Sequence, residues 1–461
     1  MEYISTRGAA DPVDFVTACL TGLAPDGGLY MPEAWPQIEL PDPSEAYPVT
    51  AARIFAAFAG DSIPKADLLA MCERAYARFA HQSVAPLTEL GRGTWMMELH
   101  HGPTLAFKDV AMQIIAQIYD YALERSGQRL SIICATSGDT GGAAAAAFAG
   151  AKHSDLYILH PHDRISPVQR RFMTTTGLAN VHNIAVAGDF DDCQAIVKSL
   201  FAEKSFVAEV GLSGVNSINW ARIVAQAVYY ATVQAKLGGK VRFIVPSGNM
   251  GDALAGFVAF KCGLLPGGFD CLCAVNENDA LARILNTGGM SRTAAVATPS
   301  PAMDISVPSN FERVLFEASG RNADLVRETY AEYAATGDVV LPETIVTKFA
   351  EMGFAATRVT NDETMVEMQD VADGTGWAIC PHTAVGTGAA KRSRQSDAAT
   401  VVLATAHAAK FPETFKEATG IDIPLPPRCA DIEGREEVFV ELPASAEAVL
   451  NYVREHCGTA E

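Results

Sequence analysis

The chain has 461 residues, 49% hydrophobic and 19% charged, too long for one ordinary core and too apolar for a disordered chain. Lys plus Arg number 35 against 54 for Asp plus Glu, a formal charge of −19 that repels nucleic-acid phosphate and anionic lipid and argues against both as partners. Ten scattered cysteines without a C-x-x-C pair, Glu2 and Arg7 where a signal peptide needs an apolar run, and no apolar stretch near ~20 residues point to a soluble, reduced, cytoplasmic setting.

Residues 1–92 read as an N-terminal accessory domain. A helix is expected with Asp11 as its cap, Pro12 at its first position, and Phe15, Val16, Cys19, Leu20 and Leu23 at helical spacing. "APDGGLYMPEAWP" then reads as loop and "ADLLAMCERAYARFA" as a further helix. From Thr94 the texture changes to short apolar runs, each followed by a Gly-rich turn and a helical pattern, as in a parallel sheet with crossover helices. "TWMMEL" leads through "HHGPT" to a helix from Leu105, with Phe107, Ala111, Ile114, Ile115, Ile118 and Ala122 on one face. "LSIICA" precedes "TSGDTGG", "VRFIV" precedes "PSGNMGD", and "WAIC" precedes "PHTAVGTG". "GAAAAAFAG" reads as a closely packed helix, since Ala favours helix and allows near approach. The fold class expected is α/β, with lobes at 93–240 and 241–461. Loops at the carboxyl ends of parallel strands line the ligand crevice, so the four turns are expected to meet in one cleft.

Neither "TSGDTGG" nor "PSGNMGD" contains G-x-G-x-x-G, and no G-x-x-x-x-G-K-[ST] occurs, which removes the fingerprints of dinucleotide and ATP binding. What remains is two turns that present backbone N–H groups at helix N-termini, an arrangement for anions. Lys108 falls in or near a first helical turn, after an expected cap at Thr104, where the macrodipole disfavours a cation. Partial desolvation beside Phe107 and Val110 would lower its pKa further, toward the neutral amine that forms imines. On local context alone, a surface lysine paired with Asp109 is the competing reading. His100 and His101 adjoin this turn, and His160 and His162 flank Pro161, but no carboxylate completes a ligand set and no metal is expected. Cys271 and Cys273 in "CLCAV" read as buried thiols.

The segment "ELHHGPTLAFKDVAMQ" resembles the cofactor-lysine segment of the threonine synthases, which belong to the fold type II pyridoxal-phosphate enzymes (tryptophan synthase β-like). So do "YISTRG", "DGGLYMPE", "ATSGDTG", "FDDCQAIV", "VNSINWARI", "VPSGNMGD", "SVPSNFERVLFE" and "PHTAVG", which run in the family's order from Tyr3 to Phe415. The resemblance implies pyridoxal 5′-phosphate as cofactor and Lys108 as its Schiff-base lysine. It gives the backbone of Gly248, Asn249, Met250, Gly251 and Asp252 to the cofactor phosphate, and Thr383 to the pyridine nitrogen. Thr136, Ser137 and Gly138 resemble the loop that receives the substrate carboxylate, and Asp139 the residue approaching the cofactor's 3′-oxygen, where many relatives have Asn. Asn216 and Arg222 correspond to residues that bind a substrate phosphate, which suits an Arg fork. Lys410 in "ATAHAAKFP" is a further cation, with Ala408 where many relatives have Pro.

The reaction so implied is conversion of O-phospho-L-homoserine and water to L-threonine and phosphate by γ-elimination and β-addition, the last step of threonine biosynthesis, in a monomer or homodimer. Two alternatives stay open. One is a pyridoxal-phosphate lyase or β-replacement enzyme acting on an unphosphorylated amino acid. The other is a non-catalytic homologue that binds phosphorylated small molecules.

Overall fold

The structure, a computed structural model, describes residues 1–91, 93–393 and 398–458. Near the N-terminus Tyr3–Ser5 pairs antiparallel with Tyr30–Pro32, two strands that the helical reading of this region had not included. The first helix is Phe15–Thr21, capped by Asp14, whose carboxylate accepts the Thr17 N–H. The expected cap at Asp11 is displaced because Val13 exchanges two backbone hydrogen bonds with Tyr3 and is held in a bridge. Helices Tyr47–Ala59 and Lys65–Tyr76 follow. This region packs onto the rest through Trp220, fully buried among Tyr3, Trp35 and Phe58.

Two sheets carry the α/β part. The larger runs Phe354–Arg358, Asp270–Val275, Val241–Pro246, Ala399–Ala404, Thr94–Glu98 and Leu87–Gly91, parallel except for the last, antiparallel pair. The smaller runs Val440–Pro443, Val181–Ala187, Ser154–Pro161, Leu130–Ala135 and Leu212–Gly214, parallel throughout. Ser154–Pro161 is buried along its whole length, as a parallel strand covered on both faces should be.

The expected boundaries do not coincide with these sheets. Thr94–Glu98, placed in the first lobe, lies in the larger sheet beside Ala399–Ala404, and Val440–Pro443, placed in the second, closes the smaller one. Leu87–Gly91, placed in the accessory domain, is also a strand of the larger sheet; the boundary residue 92 lies outside the described residues. "WAIC" is not a sheet strand either: Ile379 makes only an isolated bridge to His407 before the helix Pro381–Arg392. Helix Trp220–Leu237 is buried on all sides over its first fifteen residues, Trp220 to Gln234, which fits its apolar, Ala-rich sequence. All ten cysteines are free, and Cys271 and Cys273 are fully buried. Among the described residues no helix is long and apolar enough to cross a membrane.

Candidate active site

Three parallel strands deliver the turns that build the site. Thr94–Glu98 leads to the loop before helix Lys108–Ser126, Leu130–Ala135 to the turn before helix Asp139–Phe148, and Val241–Pro246 to the turn before helix Gly251–Lys261. The turns meet at a cavity of about 640 Å³, lined by Lys108, Thr136, Ser137, Asp139, Asn216, Arg222 and Gly248 through Asp252. Fourteen site residues were expected from the sequence; those not among these eleven are Gly138, Thr383 and Lys410.

Lys108 is the first residue of its helix, and Leu105, three residues before, adopts φ 61° in the tight turn. Thr104 does not cap the helix. Its N–H and hydroxyl both donate to Asp109, at 2.8 and 2.7 Å, which removes Asp109 as a partner for the lysine. Lys108 Nζ instead lies 3.3 Å from Asp139 Oδ2. Burial lowers its pKa; Asp139 offsets part of this, and the nearby charges of Arg222 and Lys410 lower it further.

Lys410 is fully buried and is not among the residues lining the cavity; it donates to Asp139 Oδ1 at 2.7 Å and to the Thr104 carbonyl at 2.8 Å. The sequence placed Lys410 against the substrate; in this structure it holds Asp139. Burial alone would raise the Asp139 carboxyl, but Lys410, then Lys108 and His382, hold it far below the usual range, and Gln169 Nε2 donates to it at 3.1 Å. The acidic residue that stands in place of an amide therefore enters the site as a neutralised carboxylate.

Gly138 lies outside the lining. Its N–H donates to Thr136 Oγ1 at 2.9 Å, as does that of Gly141, so the Thr136 hydroxyl braces the turn, while Thr140 joins Ser137 and Asp139 in the lining. At φ 131°, with an added Cβ 2.8 Å from Gln169, only glycine fits position 138.

The turn Gly248–Asp252 has the form of an anion cradle. Among the described residues none of its five backbone N–H groups donates to a protein acceptor, and they sit at a helix N-terminus with Met250 left-handed at φ 61°. A Cβ at Gly248 would stand 2.9 Å from Ile305 and 3.0 Å from the Ala302 carbonyl. Ser309 Oγ fixes the Asn249 side chain at 3.0 Å. Asp252 is buried against the hydroxyls of Tyr229 and Tyr230, and burial pushes its carboxyl up to about 6.

Arg222 is 3% exposed and forms no ion pair among the described residues. Its Nη1 makes one long bond, 3.4 Å, to the Val215 carbonyl, and its Nε is buried without a partner. Burial pulls its guanidinium down to about 10. A buried cation left unpaired in a cavity wall is costly unless an anion arrives there. Asn216 stands beside it in the same wall.

Thr383 is placed differently from the sequence expectation. Its hydroxyl lies 3.2 Å from Cys380 Sγ, within its own helix turn, and the residue lies outside the lining. Among the described residues the wall does include Thr405, whose hydroxyl is buried and without a partner, one residue past Ala399–Ala404 and tied by its carbonyl to the Phe107 N–H at 2.8 Å. His382 was also missed. It lines the cavity, accepts the Ala302 N–H on Nε2 at 3.1 Å, and is pushed down to about 3 by burial. A polar residue just past a parallel strand was the available signal for Thr405.

Three family descriptions match in order along the chain. "Threonine synthase N terminus" covers residues 2–76, "Pyridoxal-phosphate dependent enzyme" residues 81–406, and "Threonine synthase, C-terminal" residues 383–453. The threonine synthase of Pseudomonas aeruginosa is 41% identical over 465 aligned positions, covering 99% of this chain and 98% of the relative. The crystal structure of pyridoxal-phosphate-bound threonine synthase from Brucella melitensis is 43% identical and superposes with a TM-score of 0.95 over 100% of both chains. The yeast threonine synthase structure is 34% identical, with a TM-score of 0.92 over 99% of this chain and 98% of that one. Similarity of this extent, end to end and in both sequence and fold, places the chain in the threonine synthase family of fold type II, pyridoxal-phosphate-dependent lyases.

Proposed function

We propose that the cavity takes O-phospho-L-homoserine and, with water, converts it to L-threonine and phosphate. The observation that carries this reading is Arg222, a buried guanidinium that forms no ion pair among the described residues, in the cavity wall beside Asn216. An unphosphorylated amino acid leaves that charge uncompensated; a substrate phosphate neutralises it and accepts its two-pronged hydrogen bonds.

The residues present suit pyridoxal phosphate. The five undonated amides of Gly248–Asp252 form a cradle for its phosphate, Lys108 supplies the amine that holds its aldehyde carbon, and the unpartnered Thr405 hydroxyl serves its ring nitrogen without requiring a proton to stay there. When bound, the cofactor stores the electron pair released as protons leave the substrate carbons.

The chain's own groups do the rest. The Ser137, Asp139 and Thr140 backbone at the start of helix Asp139–Phe148 takes the substrate carboxylate, and Arg222 with Asn216 takes the phosphate at the other end. Two anchored ends fix the α- and β-carbons between them. The Lys108 amine, its pKa depressed by burial, takes and returns protons at those carbons. Asp139, held by Lys410, stays ionised and keeps the amine in place. Incubating the purified enzyme with O-phosphohomoserine should release phosphate and threonine in equal amounts. A wild type that shows no preference for the phosphorylated substrate over serine or threonine contradicts this reading and favours the β-replacement alternative.

A further inference from the structure

We propose that Glu98, His100 and His101 form a binding site for one divalent transition-metal ion of the zinc class, outside the cavity. The chain leaves strand Thr94–Glu98 at its last residue and turns, so that one ligating atom from each of the three lies within 4.8 Å of the others. This is the carboxylate that sequence reading did not find beside the two histidines. Glu98 Oε2 lies 2.8 Å from His101 Nε2 and 3.9 Å from His100 Nε2. Two ligands ~2.1 Å from an ion at the tetrahedral angle stand roughly 3.4 Å apart, so these separations bracket the required one.

A plain Glu98–His101 hydrogen bond accounts for only part of the cluster. His100 Nδ1 is buried and, among the described residues, makes no hydrogen bond of normal geometry, so that nitrogen is not committed elsewhere. Glu98 Oε1 accepts the Thr88 hydroxyl, which orients the carboxylate and leaves Oε2 for an ion. His81 and His407 flank the cluster, each ring 5.4 Å from a ligand ring, but their Nδ1 atoms accept the N–H groups of Ser83 and Ala409. His101 is partly exposed, so the cluster is within reach of solvent.

None of the three residues lines the cavity. Their backbone is tied to two distant parts of the chain, His101 O accepting the Ala80 N–H at 3.0 Å and His100 O accepting from Arg428 Nη2 at 3.1 Å. An ion here braces the loop that ends at Lys108, so its effect falls on stability before turnover.

The test is calorimetric titration of chelator-treated holoenzyme with zinc chloride, alongside thermal unfolding. One zinc per chain is expected, with Tm rising roughly 2–3 °C at a hundredfold excess over Kd. His101→Gln and His100→Phe should each weaken zinc ~100-fold or more, and His162→Gln should leave it unchanged. Retention of the bound cofactor shows that each variant is folded, and if one is not, the other decides. Zinc bound with undiminished affinity by a folded His101→Gln or His100→Phe, or no one-to-one site in the wild type, overturns the proposal.

Discussion

Replacing Arg222 with methionine should separate function from stability, because the same burial that readies the guanidinium for an anion makes it a burden without one. Losing a charge-assisted hydrogen bond to the substrate phosphate costs ~1.5–3 kcal/mol, or roughly 10- to 150-fold in kcat/KM for O-phosphohomoserine. In the free enzyme the balance runs the other way. Burial depresses the guanidinium from its usual value to about 10, with Tyr229, Cys134 and Asp252 offsetting only part of the effect. Holding it charged costs the fold on the order of 3 kcal/mol at neutral pH, a cost that is full below pH ~10 and fades above it. Methionine fills most of the same space without the charge, so Tm at neutral pH should hold or rise by a few degrees. Arg222→Lys should recover only part of the activity, since an ammonium lacks the two-pronged geometry. Steady-state kinetics with O-phosphohomoserine, slow side reactions with serine or threonine, and calorimetry of the free protein read these effects separately. A methionine variant that loses several degrees of Tm, and loses activity equally on phosphorylated and unphosphorylated substrates, shows Arg222 to be structural and the phosphate site misplaced.

Thr405→Val should shift the cofactor's absorption and lower the rate with near-normal folding, while Thr383→Val, altering a hydroxyl that faces Cys380, should leave the spectrum unchanged; the opposite pattern reinstates Thr383. Lys410→Met breaks a buried pair and should cost about 3–5 kcal/mol at neutral pH. Because the folded-state pKa of Asp139 is depressed, that stabilisation is present above its unfolded value of ~3.9 and is lost as pH falls below it, so the Tm gap between wild type and variant should narrow below pH ~4. A gap of constant size from pH 7 to pH 3 assigns the loss to packing. Gly248→Ala places a methyl 2.9 Å from Ile305 and 3.0 Å from the Ala302 carbonyl, and should weaken cofactor retention, measured by dialysis and residual absorbance, more than it lowers Tm.

Much of the site was legible because its chemistry is local. "PSGNMGD" and "TSGDTGG" are strand–turn–helix units whose free amides follow from backbone geometry alone, and both turns reach the cavity. What was not legible depends on direction and partnership across the fold. Thr383 and Thr405 are both threonines near the ends of apolar runs, and only the fold shows one hydroxyl turned into its helix and the other into the wall. Lys410 carries the right charge for a substrate anion, but in the fold it is engaged by Asp139 and the Thr104 carbonyl. Thr94–Glu98 is a short apolar run that flanks its loop like any first-lobe strand; nothing in it says that it pairs with Ala399–Ala404, some three hundred residues on. At the N-terminus Asp11 and Asp14 are both plausible caps, and the choice fell to the bridge between Val13 and Tyr3.

In the proposed reaction Lys108, in the wall of this cavity, holds the cofactor. Borohydride reduction of the purified yellow enzyme, followed by digestion and peptide mapping, tests it most directly. A pyridoxyl group found on Lys108 and on no other lysine is the predicted result, with Lys108→Ala still binding the cofactor through Gly248–Asp252 but losing turnover by orders of magnitude. An adduct on any other lysine, or a Lys108→Ala enzyme that retains its turnover, contradicts the account.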